Sequence, residues 1–325
     1  MPSPNSTFTE LVSTTFRDHR KSIKDNISQN NALLAVMTQK GRMRMVDGGL
    51  TIVEPLEYAE NGTYQRYSGY DSLNIQASDV ITSAEFSWRQ AAVHVTASGR
   101  EMRINKGKNA FLDLVKTRTQ NAIKSFKNNF SSDLYSDGTL SNQINGLQSI
   151  IADSGQGTVG GINAATSTNA FWRNIVQSAA APLQGGGAIT PSASTIESLM
   201  LPLWLACTIG NDSPDLIVAD TVYYTYFETS QVSVKRYTDS DTAQGGFISL
   251  RYKNAKVVYD GDSGIPASHM YFINTDNLRL AVHPDADITV LDDIRPTNQD
   301  AVVIPAIWMG NLVCSSRRTQ GVLKA

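Results

Sequence analysis

The segment from Asp47 to Gly99 places the tightest limit on what this chain can fold into. It reads as two long strand arms with almost no core-forming sequence between them. Leu50, Ile52 and Val53 lead to Pro55, which an edge strand tolerates and a central strand does not. Glu60-Asn61-Gly62 is a turn signal, and the aromatic, Gly-containing run Tyr64-Gln65-Arg66-Tyr67-Ser68-Gly69-Tyr70-Asp71 follows it. A second β-like stretch carries Phe86 and Trp88 on one face and Val93 and Val95 on the other. Its phase slips at Ala91-Ala92, as a bulge would produce. An isolated two-stranded ribbon is marginal in water. The ribbon therefore needs a surface to lie on, and a neighbouring copy of the chain supplies one. The expected contact residues are Tyr58, Tyr64, Arg66, Tyr67, Tyr70, Phe86 and Trp88, mostly aromatic anchors of the kind interfaces favour.

Two helices stand out. Thr7 and Glu10 fit a capping-box start, and Phe8, Leu11, Val12, Phe16, Ile23 and Ile27 recur at helical spacing. The polar side of this amino-terminal helix holds Arg17, His19, Arg20, Lys21 and Lys24 beside Asp18 and Asp25. The strongest helix lies between Lys106 and Asp137, with an apolar stripe of Phe111, Leu114, Val115, Ala122, Phe126, Phe130 and Leu134 and a stop at Asp137-Gly138. At 1.5 Å per residue, roughly 28 residues span about 42 Å, enough to form the backbone of a flat subunit. Its opposite side carries Lys108, Lys116, Arg118, Lys124 and Lys127, opposed mainly by Asp113. A solvated face is the ordinary reading of both basic clusters. The functional reading is nonspecific, salt-sensitive contact with DNA phosphates through Arg17, Arg20, Lys21, Lys24, Lys116, Lys124 and Lys127 or, for the amino-terminal cluster, an inward-facing arm that meets a scaffold.

From Leu140 to about Gly245 the chain first turns rich in Gly, Ser and Thr, including Gly185-Gly186-Gly187. It then gives a buried helix from Leu199 to Ile209 despite Pro202, a buried strand from Asp215 to Ala219, and an aromatic helix or strand from Val222 to Phe227. Strand patterns return at Phe247 to Tyr259, Met270 to Asn274, Leu278 to Val282, Ile288 to Leu291 and Ala301 to Trp308. Strands that resume after an inserted subdomain imply a discontinuous first domain and an α+β fold.

Composition narrows the function. With 28 Lys and Arg against 30 acids, the net charge of −2 leaves DNA contact to local patches. Two distant cysteines, Cys207 and Cys314, exclude a disulfide framework and a multi-cysteine metal site. No stretch approaches the roughly 20 apolar residues of a membrane span. Gly155-Gln156-Gly157-Thr158-Val159-Gly160 matches a dinucleotide fingerprint and would anchor a nucleotide-dependent enzyme. No helix pattern opens at its third glycine, however, and no acid follows at the right distance, so a flexible loop is expected. His19, His94, His269 and His283 lack metal-ligand spacing, and the Asp260-Gly261-Asp262-Ser263-Gly264 run lacks the distal ligands of a calcium loop. No catalytic residue, metal site or cofactor is expected, and the chain does not read as an enzyme.

Several runs resemble one family. Glu57-Tyr58-Ala59-Glu60-Asn61-Gly62-Thr63-Tyr64, continuing through Arg66-Tyr67-Ser68-Gly69-Tyr70, resembles the extended loop of tailed-phage major capsid proteins. Met270-Tyr271-Phe272-Ile273-Asn274-Thr275-Asp276, Asn298-Gln299-Asp300-Ala301, Gly310-Asn311-Leu312 and Gln320-Gly321-Val322-Leu323 resemble later parts of the same family. The resemblance implies the Hong Kong 97 phage capsid fold: an N-terminal arm (1–46), an extended β-hairpin loop (47–99), a peripheral domain with a long spine helix (100–139 and 246–325) and an axial domain (140–245). It implies a head protein that assembles with itself into hexamers and pentamers around double-stranded DNA, made in the host bacterial cytoplasm and ending in the virion. Partners implied are a portal protein and, in some members, a decoration protein. Leu50 through Arg100 contains no Lys, so isopeptide cross-linking through a lysine on that loop is not expected. No charged, coiled-coil-like leader precedes the arm, so a separate scaffolding protein is expected. An encapsulin-like compartment shell is the alternative within the same fold.

Overall fold

The computed structural model describes residues 32–104, 108–231, 249–260, 264–292 and 294–325. The expected amino-terminal helix, with Arg17, Arg20, Lys21 and Lys24, lies outside them. In chain order the elements are α1 (Ala32–Gln39), β1 (Met43–Met45), β2 (Thr51–Glu57), β3 (Ile81–Ser87), β4 (Arg89–Ser98), α2 (Gly99–Ile104) and α3 (Lys108–Asp133). There follow α4 (Leu147–Ile150), β5 (Thr158–Val159), β6 (Ile162–Asn163), β7 (Ile175–Ser178), α5 (Ile196–Cys207), β8 (Leu216–Ala219) and α6 (Thr221–Ser230). The remainder is strand: β9 (Ser249–Tyr252), β10 (Ala255–Tyr259), β11 (His269–Ile273), β12 (Leu278–Val282), β13 (Thr289–Val290), β14 (Ala301–Cys314) and β15 (Gly321–Lys324).

A five-stranded sheet is organised around β14, whose first ten residues pair with β4 and whose last five pair with β12. The long helix α3 lies across it. Phe130 stacks on Phe126 and meets Trp308 of β14 edge-on, with ring centroids 4.8 Å apart. The helix ends at Asp133, ahead of the expected Asp137-Gly138 stop. Leu134 and Tyr135 leave it to be buried, and the Tyr135 hydroxyl donates to the buried Asp260 carboxylate.

The second sheet has six strands in the order β7-β15-β11-β8-β10-β9 and is buried on both faces. Leu216, Val218, Val258, Tyr271, Ile273 and Val322 face the core shared with α3 and the first sheet. Their alternates Ile217, Ala219, Val257, Met270, Phe272 and Leu323 face α5 and α6. Such two-sided burial explains the unbroken apolar runs of β8 and β11. Helix α6 begins at Asp220, whose carboxylate accepts from the backbone N–H of Tyr223 at 2.8 Å.

The two sheets cut across the residue ranges expected for two domains. Strands β10, β11 and β15 all lie beyond residue 246, yet they pair with β7 and β8 from the middle of the chain. Pairing partners so far apart leave no trace in local periodicity. The carboxyl-terminal strand is central: α5 packs so closely over Gly321 that an added Cβ would sit 2.6 Å from Cys207 Sγ.

Arg317 fastens this centre. Its buried guanidinium donates to the carbonyls of Ile150 (2.6 Å), Trp172 (3.0 Å) and Gln156 (3.1 Å) and to Asn174 Oδ1 (2.9 Å). Burial lowers its pKa to about 10, so it stays charged at neutral pH. Arg317→Met would take the guanidinium donor from four acceptors, the Ile150 and Trp172 carbonyls among them buried, and it is expected to cost about 3 kcal/mol or more of unfolding free energy in urea titration.

Candidate inter-subunit surface

β2 and β3 form a separate two-stranded ribbon, with Thr51 opposite Ser87 and Glu57 opposite Ile81. Ile52, Glu54, Leu56, Ala84 and Phe86 face inward and are buried, whereas Val53, Pro55, Glu57, Ile81, Ser83 and Glu85 are outward and exposed, apart from half-shielded positions at the ends. Glu54 is only 3% exposed and is tolerated there because it pairs with Arg44 at 3.0 Å.

The inward face rests on the glycine run that resembled a nucleotide site. That run is no flexible loop. It forms the β5–β6 hairpin, turned by Gly160 and Gly161 at φ 57° and 76°. Both values suit a type I′ turn, which requires positive φ at its two central residues. A Cβ on Gly160 would stand 2.7 Å from Ala84 Cβ and 3.2 Å from Phe86 Cζ. The Gly160 carbonyl accepts from the Glu85 N–H at 2.9 Å, and the Val159 carbonyl from the Trp172 indole at 3.0 Å.

The ribbon leaves the body at two closely pinned points. Gly48 and Gly49, at φ 82° and 102°, precede β2, and the Trp88 indole donates to the Gly49 carbonyl at 2.9 Å. Asn311 Nδ2 donates to the Ser87 carbonyl at 2.8 Å, while its Oδ1 accepts from Asn145 N–H. The phase slip falls between Trp88 and Arg89, where the chain passes from β3 to β4, and not at Ala91-Ala92. β4 runs in unbroken register with β14.

Residues 58–80 connect the ribbon's strands. Tyr58 continues the ladder through its N–H to Val80, and its ring lies 5.5 Å from Phe171. Desolvation and then Asp79 raise its pKa. Beyond it the loop is tied by polar bonds, including Gln65 Nε2 to the Ser72 carbonyl (2.9 Å), Asn74 N–H to Gln65 Oε1 (3.2 Å) and Ser68 N–H to Asp71 (2.8 Å). No side chain of a core fills it. Tyr64 is 83% exposed, Tyr67 66%, and Tyr70 wholly so.

The expected contact set therefore divides. Tyr64, Arg66, Tyr67 and Tyr70 stand free on the loop. Tyr58 and Trp88 are half-buried against Phe171 and His283 of their own chain. Phe86, 1% exposed, offers nothing to a neighbour, because alternation along β3 points it at the Gly160 seat. Missing from the set were Leu73 and Ile75, both well exposed on the same loop, and Val53 and Ile81 on the ribbon's outer face. Period-two alternation from the buried Ile52 flags Val53, but nothing local marks which face lies outward.

Of the expected DNA-facing cations, Lys116, Lys124 and Lys127 belong to α3. At 100° per residue these positions fall within about 80° of one another around the axis. Lys124 is exposed; the side chains of 116 and 127 lie outside the described residues. Among the described residues no cluster of His, Cys, Asp and Glu could hold a metal ion.

The fold is that of phage capsid subunits. A capsid chain of cyanophage A-1(L) superposes with a TM-score of 0.61 at 19% identity, covering 89% of this chain and 92% of that one. The capsid of Myoviridae phage XM1 gives 0.54 at 9% identity over 89% and 91%. The SrpI encapsulin of Synechococcus elongatus PCC 7942 gives 0.52 at 10% over 87% and 84%. No family model and no curated protein sequence matches the chain.

Gly160→Ala tests the seat. Clash with Ala84 adds to positive-φ strain, so a loss of about 2–3 kcal/mol in denaturant unfolding is expected. Gly161→Ala, where an added Cβ meets nothing within 4 Å, carries the strain alone and should cost less.

Proposed function

We propose that this chain is the major capsid protein of a tailed phage, which assembles with itself as hexamers and pentamers into an icosahedral shell enclosing double-stranded DNA. One observation carries the reading: an ordered loop displays Tyr64, Tyr67 and Tyr70 with no core of its own behind them. Exposed aromatic area of this kind marks a docking surface. The ribbon and its loop act as the extended loop, and α3 as the spine helix. The five-stranded sheet belongs to the peripheral domain. The six-stranded sheet with α5 and α6 forms the axial domain at capsomer centres. A scaffolding protein, a portal and, where present, a decoration protein are the accessory partners, and the mature location is the virion.

Replacing residues 60–78 by an Asn-Gly turn should leave a folded subunit, with Tm within a few degrees of the parent, that forms no shells in electron micrographs; normal particles would refute the reading. Nuclease-protected DNA inside native particles separates a phage head from an encapsulin-like compartment, which would hold protein cargo. Substituting Gln at Lys116, Lys124 and Lys127 should shorten the packaged DNA or lower virion stability at low salt if these residues screen phosphate. Unchanged genome content would assign them to solvent.

A further inference from the structure

The ribbon and the segment after it carry opposite charge along the sequence. Residues 51–87 hold six acids and a single cation, Arg66, whereas residues 88–118 hold seven Lys and Arg against two acids. Glu54 pairs with Arg44, Asp71 accepts from Ser68, and Asp79 faces Tyr58. Glu57, Glu60 and Glu85 are exposed and meet no cation among the described residues.

Among the described residues β4 pairs with β14 on one side only. Because Gly99 N–H donates to the Asp300 carbonyl, odd-numbered residues of β4 turn their backbone groups toward β14 and even-numbered ones turn theirs outward. On that outward edge Ser98 N–H takes Glu101 and the Thr96 carbonyl takes Arg118. The outward groups of Gln90, Ala92 and His94 meet nothing among the described residues. Arg89 and Arg100 bracket this open edge. Arg100 is exposed, and Arg89 Nε is shielded from solvent with no hydrogen-bond partner.

An open edge is a template for another strand, and folded proteins rarely leave one uncovered. Phosphate answers N–H donors alone, whereas this edge presents carbonyls as well, which a peptide strand satisfies. The chain's own ribbon is already committed to the Gly160 seat. We propose that the β4 edge between Arg89 and Arg100 receives the acidic ribbon of a second copy, with Glu57, Glu60 and Glu85 set against the two arginines. The inference rests on the shell reading above and names the receiving surface.

The full-length triple variant Glu57→Lys, Glu60→Lys, Glu85→Lys is expected to keep the parent's circular dichroism and Tm while particle yield falls about tenfold or more. Adding Arg89→Glu and Arg100→Glu in the same chain should restore particles, since every ribbon then meets a seat of opposite sign. Normal yield from the triple variant, or no recovery from a folded charge-swapped chain, overturns the proposal. A milder pair, Arg89→Gln with Arg100→Gln, guards against misfolding. It should lower yield and leave DNA per particle unchanged; the reverse pattern gives the edge to DNA and also overturns the proposal. Failure of the parent chain to form any particle even when co-expressed with a scaffolding protein refutes the shell reading itself, whereas indifferent charge variants beside normal parent particles refute only the seat.

Discussion

Between Trp88 and Arg89 the inward face of the chain changes parity, and the rest of the architecture follows from that change. Up to Phe86 the even-numbered residues are buried; from Val95 the odd-numbered ones are. A shift of one residue flips every side chain of a strand to the other face. Here the flip lets one continuous stretch serve two sheets, first against β2 and then against β14. Trp88 and Asn311 hold the crossing in place by bonds to Gly49 and Ser87. The ribbon's direction is thereby set by the body, and its free face is set by the ribbon's own alternation.

The body needs the whole chain to exist. β15 comes latest in the chain order described, yet it lies between β7 and β11, and Arg317 just before it supplies the donors for carbonyls at residues 150, 156 and 172. Two cores sit on opposite faces of one sheet, so neither half can be cut away without stripping the other. Stability is concentrated in these long-range pairings, while the ribbon and loop hang from a few fastenings at their base. That division lets the projecting part meet a partner without disturbing the core.

Much of this was legible in the sequence. The strand arms, the long helix, the buried helix around Pro202 and most carboxyl-terminal strands announce themselves by period and turn chemistry, because each depends on neighbours a few residues away. What stayed hidden depends on distant partners. The glycine run reads as a loop until Ala84 and Phe86 are seen pressing on Gly160. Phe86 reads as an anchor until the side of the ribbon that lies on the body is known. That strands beyond residue 246 join those from the middle is equally hidden, since apolar patterning states that a strand is buried and not beside what. Arg317 carried no local signal at all: an arginine after a strand looks like a surface residue until four acceptors close around it.

The exposed loop also bears on how such a subunit avoids aggregating. Tyr64, Tyr67 and Tyr70 are spread along a segment fixed by polar bonds from Gln65, Asp71 and Asn61. Burying them in a partner loses little further conformational freedom, and each aromatic ring then contributes most of its transfer free energy to association. A single such contact is nonetheless small beside the entropic cost of holding two subunits together. Only a closed arrangement, in which each copy both gives a loop and receives one, multiplies the gain enough to win. On the proposed shell reading, a subunit built this way stays apart when dilute and locks when many copies meet.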